Sequence, residues 1–261
     1  MSRVRGRATY VYAIVRAARR PAGEGRTPRG LPGTGLVRLL EAGRDLWLVV
    51  ADAPLDRYGA DAVERGLRDW GWLSACALAH ERVVEHFLAR GDVIPTKLFT
   101  LFASDERALA HVGRVRTRLR TVLARVGGRR EWGLRLVLDA RRGLGHVTGV
   151  ADRGAAPRTG TAFLVARQRQ RRALDRLVAG ARADAERVFR TLARQADATR
   201  RRPVVATAER AVVLDAAFLV SARRTRAFRS SVRRLTAGLA RRGIEATLTG
   251  PWPPYHFVGG R

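Results

Sequence analysis

Pro251, Pro253 and Pro254 fall within four residues near the end of the chain, with Trp252 among them and Tyr255 and Phe257 just behind. Each proline fixes φ at about −65° and offers no backbone N–H. Trp252 and Pro253 precede prolines and are held extended or in polyproline II, while Gly250, without a Cβ, is freer. A stretch so poor in donors is excluded from the centre of a sheet. The expected arrangement folds residues 249–261 back as a staple on the second domain, burying Trp252 and Phe257. The alternative presents those rings to a partner. Little entropy is left to lose on docking in either case.

Upstream, apolar runs of strand length alternate with stretches of helical period. ATYVYAIV (8–15) and DLWLVVAD (45–52) read as strands, the second ended by Pro54. From Asp56 the pattern turns helical and continues to Arg90, with Gly91 as its cap. VIPTKLFTLF (93–102) reads as extended because Pro95 pushes Ile94 out of the helical region. Ser104 caps a further helix that Gly127 and Gly128 stop. The chain restarts with the strand EWGLRLVLDA (131–140), followed by a glycine-rich loop through Gly160. A long helix runs over 161–200, its stripe formed by Leu174, Val178, Ala181, Ala185, Val188 and Leu192. AVVLDAAFLVSA (211–222) is too apolar for an edge strand. A helix over 223–242 precedes IEATLTG and the tail. This pattern predicts an α+β protein of two domains, 1–127 and 128–261, each a small sheet with helices packed on it.

The charge is extreme. Fifty-one basic residues against 23 acidic ones leave +28, and Lys97 is the only lysine among them. Such a balance suits an anionic partner, and it motivates one functional reading, an arginine-rich nucleic-acid-binding protein. Arginine, alanine and glycine are enriched together, however, which is also the mark of compositional bias. The aromatics are 7% and do not interleave with the arginines as base-stacking platforms would. One cysteine, Cys76, permits no internal disulfide and suggests a reducing compartment. No apolar run approaches the ~20 residues of a membrane span, and the arginines after ATYVYAIV do not fit a signal-peptide cleavage site. A cytoplasmic protein is expected.

Catalytic constellations are hard to assemble from these residues. HERVVEH (80–86) places His80 and His86 six apart, about 240° around a helix, so one metal cannot receive both. Solvated helix residues are expected there, and a hydrolase using His80, Glu81 or His86 is the weakest reading. GLPGTGL (30–36) lacks the Gly-Lys-Ser/Thr ending of a phosphate loop, and GLGHVTG (143–149) lacks a dinucleotide fingerprint. The serines have no Gly-x-Ser-x-Gly context, and Cys76 reads as a small buried hydrophobe. No catalytic residue, metal or cofactor is expected.

The ending LTGPWPPYHFV closely resembles the C-terminal signature of the gas vesicle protein GvpF/GvpL family. YVYAIV (10–15), AHERVVEHFLARGDVIPTKLFTLFAS (79–104), EWGLRLVLD, GTAFLVARQ (160–168) and DAAFLV (215–220) also resemble that family's motifs, in order, over about residues 8–258. Two departures stand out. Lys97-Leu98-Phe99-Thr100 replaces an Arg-Phe-Gly-Thr pattern, keeping the charge but not a bidentate geometry, and His256 stands where a small polar residue is common.

The resemblance implies a non-enzymatic accessory protein of gas vesicle formation with a ferredoxin-like second domain. It implies binding to the hydrophobic shell protein GvpA and to other accessory proteins, in the cytoplasm and at the gas vesicle. Assembly chaperone, nucleation factor and minor vesicle component all fit. A subunit bound for an air-filled wall exposes apolar surface and would aggregate unless covered. The residues marked as a structural or partner-binding motif are Trp252, Pro253, Pro254, Tyr255, Phe257, Lys97 and Phe99.

Overall fold

The computed structural model describes residues 6–21, 27–148, 160–204 and 210–259. They pack as two compact units, Met1–Arg129 with Trp252–Arg261, and Arg130–Pro251. The first unit is organised round β1 (Arg7–Arg16), a strand of aromatic and β-branched residues buried from Ala8 to Val15. Then come β2 (Arg38–Glu41), β3 (Leu46–Pro54), α1 (Leu55–Tyr58), α2 (Ala60–Gly66) and α3 (Trp70–Leu88). β4 (Asp92–Pro95), β5 (Leu101–Phe102) and α4 (Asp105–Val126) complete the run. The sheet order is β2-β3-β1-β4, and β5 also pairs with β1.

A bulge near Tyr12 decides what β1 presents. The β1–β3 register shifts between Val11 and Ala13, and the extra residue resets the two-residue alternation. Tyr10, Tyr12, Ala13 and Val15 therefore all join one core with Cys76, Val83, Val84 and Phe87 of α3. Thr9, on the opposite side of the strand from Tyr10, donates a 2.7 Å hydrogen bond to Asp105 at the start of α4.

The helix expected from Asp56 to Arg90 is three helices. Gly59 is extended after α1, and Asp69 caps α3 by accepting from the Gly71 and Trp72 amides at 2.8 and 3.1 Å. An aspartate side chain in competition with the backbone opens a new helix instead of continuing the old one. Residues 93–102 are not extended throughout. The strand stops at Pro95, and Phe99 turns into the left-handed region at φ +63° before β5. The Ser104 cap of α4 forms as expected, its hydroxyl accepting from the Arg107 amide.

The second unit contains β6 (Arg129–Asp139), α5 (Ala140–Thr148), α6 (Gly160–Ala193), β7 (Ala198–Arg201), β8 (Arg210–Ser221), α7 (Thr225–Thr236) and β9 (Ile244–Trp252). Its sheet runs β7-β8-β6-β9, so the apolar β8 is interior and the proline-bearing β9 lies at an edge, where a missing donor is tolerated. Alternate residues of β6 (Trp132, Leu134, Leu136, Leu138) and of β8 (Leu214, Ala216, Phe218, Val220) face the α6 stripe Ala181, Ala185, Val188 and Leu192 in one core. A helix occupies the start of the stretch expected as a loop after Asp139. The rest of that stretch, 149–159, lies outside the described residues. The long helix ends at Ala193, not Arg200, because Ala198–Arg201 pairs with β8.

The tail departs from the expected staple on the second domain. From Trp252 it belongs to the first unit, as the short helix α8 (Tyr255–Val258).

Candidate functional site

Tail, α3 and the turn after β4 converge in the first unit. Pro253 and Pro254 are buried, and their carbonyls accept from the Tyr255 and Phe257 amides at 2.8 and 2.9 Å. The Tyr255 hydroxyl donates to Glu81 of α3 at 2.6 Å, and Arg125 of α4 donates to the Phe257 carbonyl at 2.6 Å. Burial, reinforced by the Glu81 carboxylate, pushes the Tyr255 phenol up, so it stays a donor. Phe257 is buried, but Trp252 is 38% exposed, against the expectation that both rings would be covered. Stiffness in the three prolines settles the chain direction and leaves the indole at the rim.

Beside Glu81, His80 points inward. It is 3% exposed, contrary to the solvated position expected of it. Its Nδ1 lies 2.8 Å from the Tyr10 hydroxyl. Burial pushes the imidazole down to about 4, with the Thr96 main chain partly offsetting this, and burial raises the Tyr10 phenol. The buried ring is therefore neutral, and its Nδ1 and the Tyr10 phenol share one hydrogen bond. The Tyr10 oxygen in turn accepts from the Phe99 amide at 3.2 Å. Tyr12 accepts from the Leu31 amide at 2.9 Å, and Tyr58 donates to the Pro32 carbonyl at 2.7 Å. The GLPGTGL loop thus covers buried tyrosines through these two bonds. Gly30 is required there, since a Cβ would sit 2.2 Å from the Tyr12 oxygen.

The turn after β4 is held equally firmly. Thr96 donates to the Val11 carbonyl at 2.6 Å, and Thr100 to the Lys97 carbonyl at 2.7 Å. The Phe99 ring stacks on Trp72 at 5.2 Å between centroids and 12° between planes. The Lys97 side chain is exposed. The seven residues singled out in the sequence are therefore split between internal contacts (Pro253, Pro254, Tyr255, Phe257, Phe99) and surface (Lys97, Trp252).

Sequence reasoning missed Tyr10 and Tyr12 as partners of this site. The signal was present: two phenols in an otherwise aliphatic strand need hydrogen-bond partners once buried. It also missed Arg38, which donates to Asp52 at 2.6 Å and Asp105 at 2.7 Å. The Arg38 guanidinium holds the Asp105 carboxyl below its usual range.

The phenols are held protonated, the imidazole is buried neutral, and burial raises the Cys76 thiol away from thiolate reactivity. Among the described residues, no three His, Cys, Asp or Glu side chains converge as metal ligands, and no helix is long and apolar enough to cross a membrane.

The family of "Gas vesicle synthesis protein GvpL/GvpF" matches residues 8–259. Gas vesicle protein L of Streptomyces sp. (strain CB03234) is 30% identical over 259 residues, covering 97% of this chain and 93% of that protein. The fold is similar to the crystal structure of GvpF from Anabaena sp. PCC7120, with a TM-score of 0.68, 17% identity and 98% of each chain covered. It is also similar to GvpF from Microcystis aeruginosa, with a TM-score of 0.66, 17% identity and 97% and 99% coverage.

Proposed function

The chain belongs to the GvpL/GvpF family of gas vesicle synthesis proteins, and from that premise we propose that it is a non-enzymatic assembly adaptor acting in the cytoplasm and at the gas vesicle. Its partners on this reading are the shell protein GvpA and other accessory proteins, whose apolar surface it covers before incorporation. The observation that carries the reading is the family match over residues 8–259. A buried, hydrogen-bonded scaffold in place of an open acid–base pair supports it. Trp70, 79% exposed at the start of α3, and Leu67 and Leu78 on the same stretch, supply apolar surface. Of the motif residues, Lys97 and Trp252 have surface left for a partner. The second unit reads as ferredoxin-like, supported by its strand–helix–strand–strand–helix–strand order with the first and third strands central.

Co-expression tests the adaptor. The shell protein should remain in the supernatant and co-purify with this chain, and deletion should impair vesicle formation. No association together with normal vesicles overturns it. Tight DNA binding with a steep log–log salt slope, in the absence of shell-protein binding, would favour the nucleic-acid reading instead.

A further inference from the structure

The long helix α6 is only half used by its own sheet. Ala181, Ala185, Val188 and Leu192 are buried in the second unit's core, whereas residues 163–172 are exposed on every side. Phe163 and Leu164, within the GTAFLVARQ motif, are 52% and 65% exposed. Phe163, Ala166, Gln170, Ala173 and Leu177 recur at steps of three and four, a seam of the kind that packs another helix. Ala166 and Ala173 are small enough for close approach. The seam runs into a groove of about 300 Å³, whose floor includes Leu177, Ala181 and Ile244 and whose rim carries Arg176 and Arg241. From Phe163 to Ala181 it spans about 27 Å, the length of an 18-residue partner helix.

Charge selects the occupant. Between Phe163 and Leu177 stand Arg167, Arg169, Arg171, Arg172 and Arg176 against one acid, Asp175. A second copy would bring the same arginines to the seam and be repelled. A nucleic acid would match the arginines and leave the apolar seam uncovered. We propose that the exposed half of α6 and its groove dock an amphipathic helix of a partner protein, with apolar residues on the seam and carboxylates on the flanking arginines.

The test uses the full chain and a labelled 21-residue helical peptide with leucines at heptad a and d positions and glutamates beside them. The control peptide carries lysine in place of glutamate. Anisotropy should show micromolar binding of the acidic peptide, at least about 10-fold tighter than the control, and weaker in high salt. Phe163→Asp and Arg176→Glu, both at exposed positions, should each weaken the acidic peptide about 10-fold or more with the melting temperature unchanged. Equal binding of the two peptides, or undiminished binding by both variants, overturns the proposal. So does a dimer in sedimentation that Phe163→Asp abolishes, since the seam would then belong to a second copy. None of these outcomes depends on the shell protein, so failure here is separable from failure of the adaptor reading.

Discussion

Tyr255 and Glu81 are 174 residues apart in the chain and 2.6 Å apart in space. Their hydrogen bond fastens the tail to α3, and the neighbouring His80 fastens the same helix to Tyr10 of β1. One dipeptide thus ties three distant segments, its two side chains pointing to opposite tasks.

Removing that phenolic hydroxyl should loosen the tail. Tyr255→Phe keeps the ring and strips the donor from a carboxylate, which costs about 1.5–3 kcal/mol. Urea titration should show a lower midpoint, and limited proteolysis should cut the tail sooner. Identical midpoints and cleavage rates would deny the contact a structural role.

The two tail rings should differ sharply. Phe257 is 3% exposed, so Phe257→Ala should cost about 3 kcal/mol or more. Trp252→Ala, at a rim position, should cost under about 1.5 kcal/mol. Shell-protein binding measured on both variants separates packing from presentation: a Trp252→Ala chain that melts normally but binds poorly would mark the indole as a contact.

Acid should weaken the fold through His80. Its folded value of about 4 lies below the ordinary 6.5, so between these values the unfolded chain binds more protons. Stability is therefore complete above about pH 6.5, falls as the pH drops toward 4, and levels off below, with a loss of up to about 3 kcal/mol. His80→Gln, which cannot titrate, should flatten that part of the profile measured by denaturant midpoints. An unchanged slope would place the acid sensitivity elsewhere.

Gly30→Ala should be costly despite its location in a loop. The added methyl meets the Tyr12 hydroxyl at 2.2 Å, and displacing either group strains a packed core by about 1–3 kcal/mol. Gly30→Ala combined with Tyr12→Phe should recover part of that loss, because the clashing oxygen is gone. A double variant no better than the single one would place the decisive clash on Thr34 Oγ1, 2.8 Å from the same methyl.

The elements themselves were legible along the chain. β1, β3, β6 and β8 lie where the apolar runs lie, and α4, α6 and α7 where side chains recur at three and four. These are local properties: a buried strand needs a continuous apolar run, and a packed helix needs a stripe. The Asp69 cap was written in the sequence too, but it was hidden inside a periodicity that continued on both sides of it. Short edge strands such as Arg38–Glu41 and Ala198–Arg201 carry too few residues to show a period, and only pairing with β3 and β8 makes them strands.

Sequence alone determined that residues 250–254 are stiff and barred from the middle of a sheet, because proline acts on its own backbone and on the residue before it. Tertiary structure decided where that stiffness leads: onto the first unit, with Tyr255 on Glu81, Phe257 covered and Trp252 at the rim. It also decided that His80 is buried against Tyr10, because α3 covers the face of β1 that Tyr10 and Tyr12, two residues apart, share. Burial and partnership between distant residues depend on which surfaces meet, and no local pattern encodes that meeting.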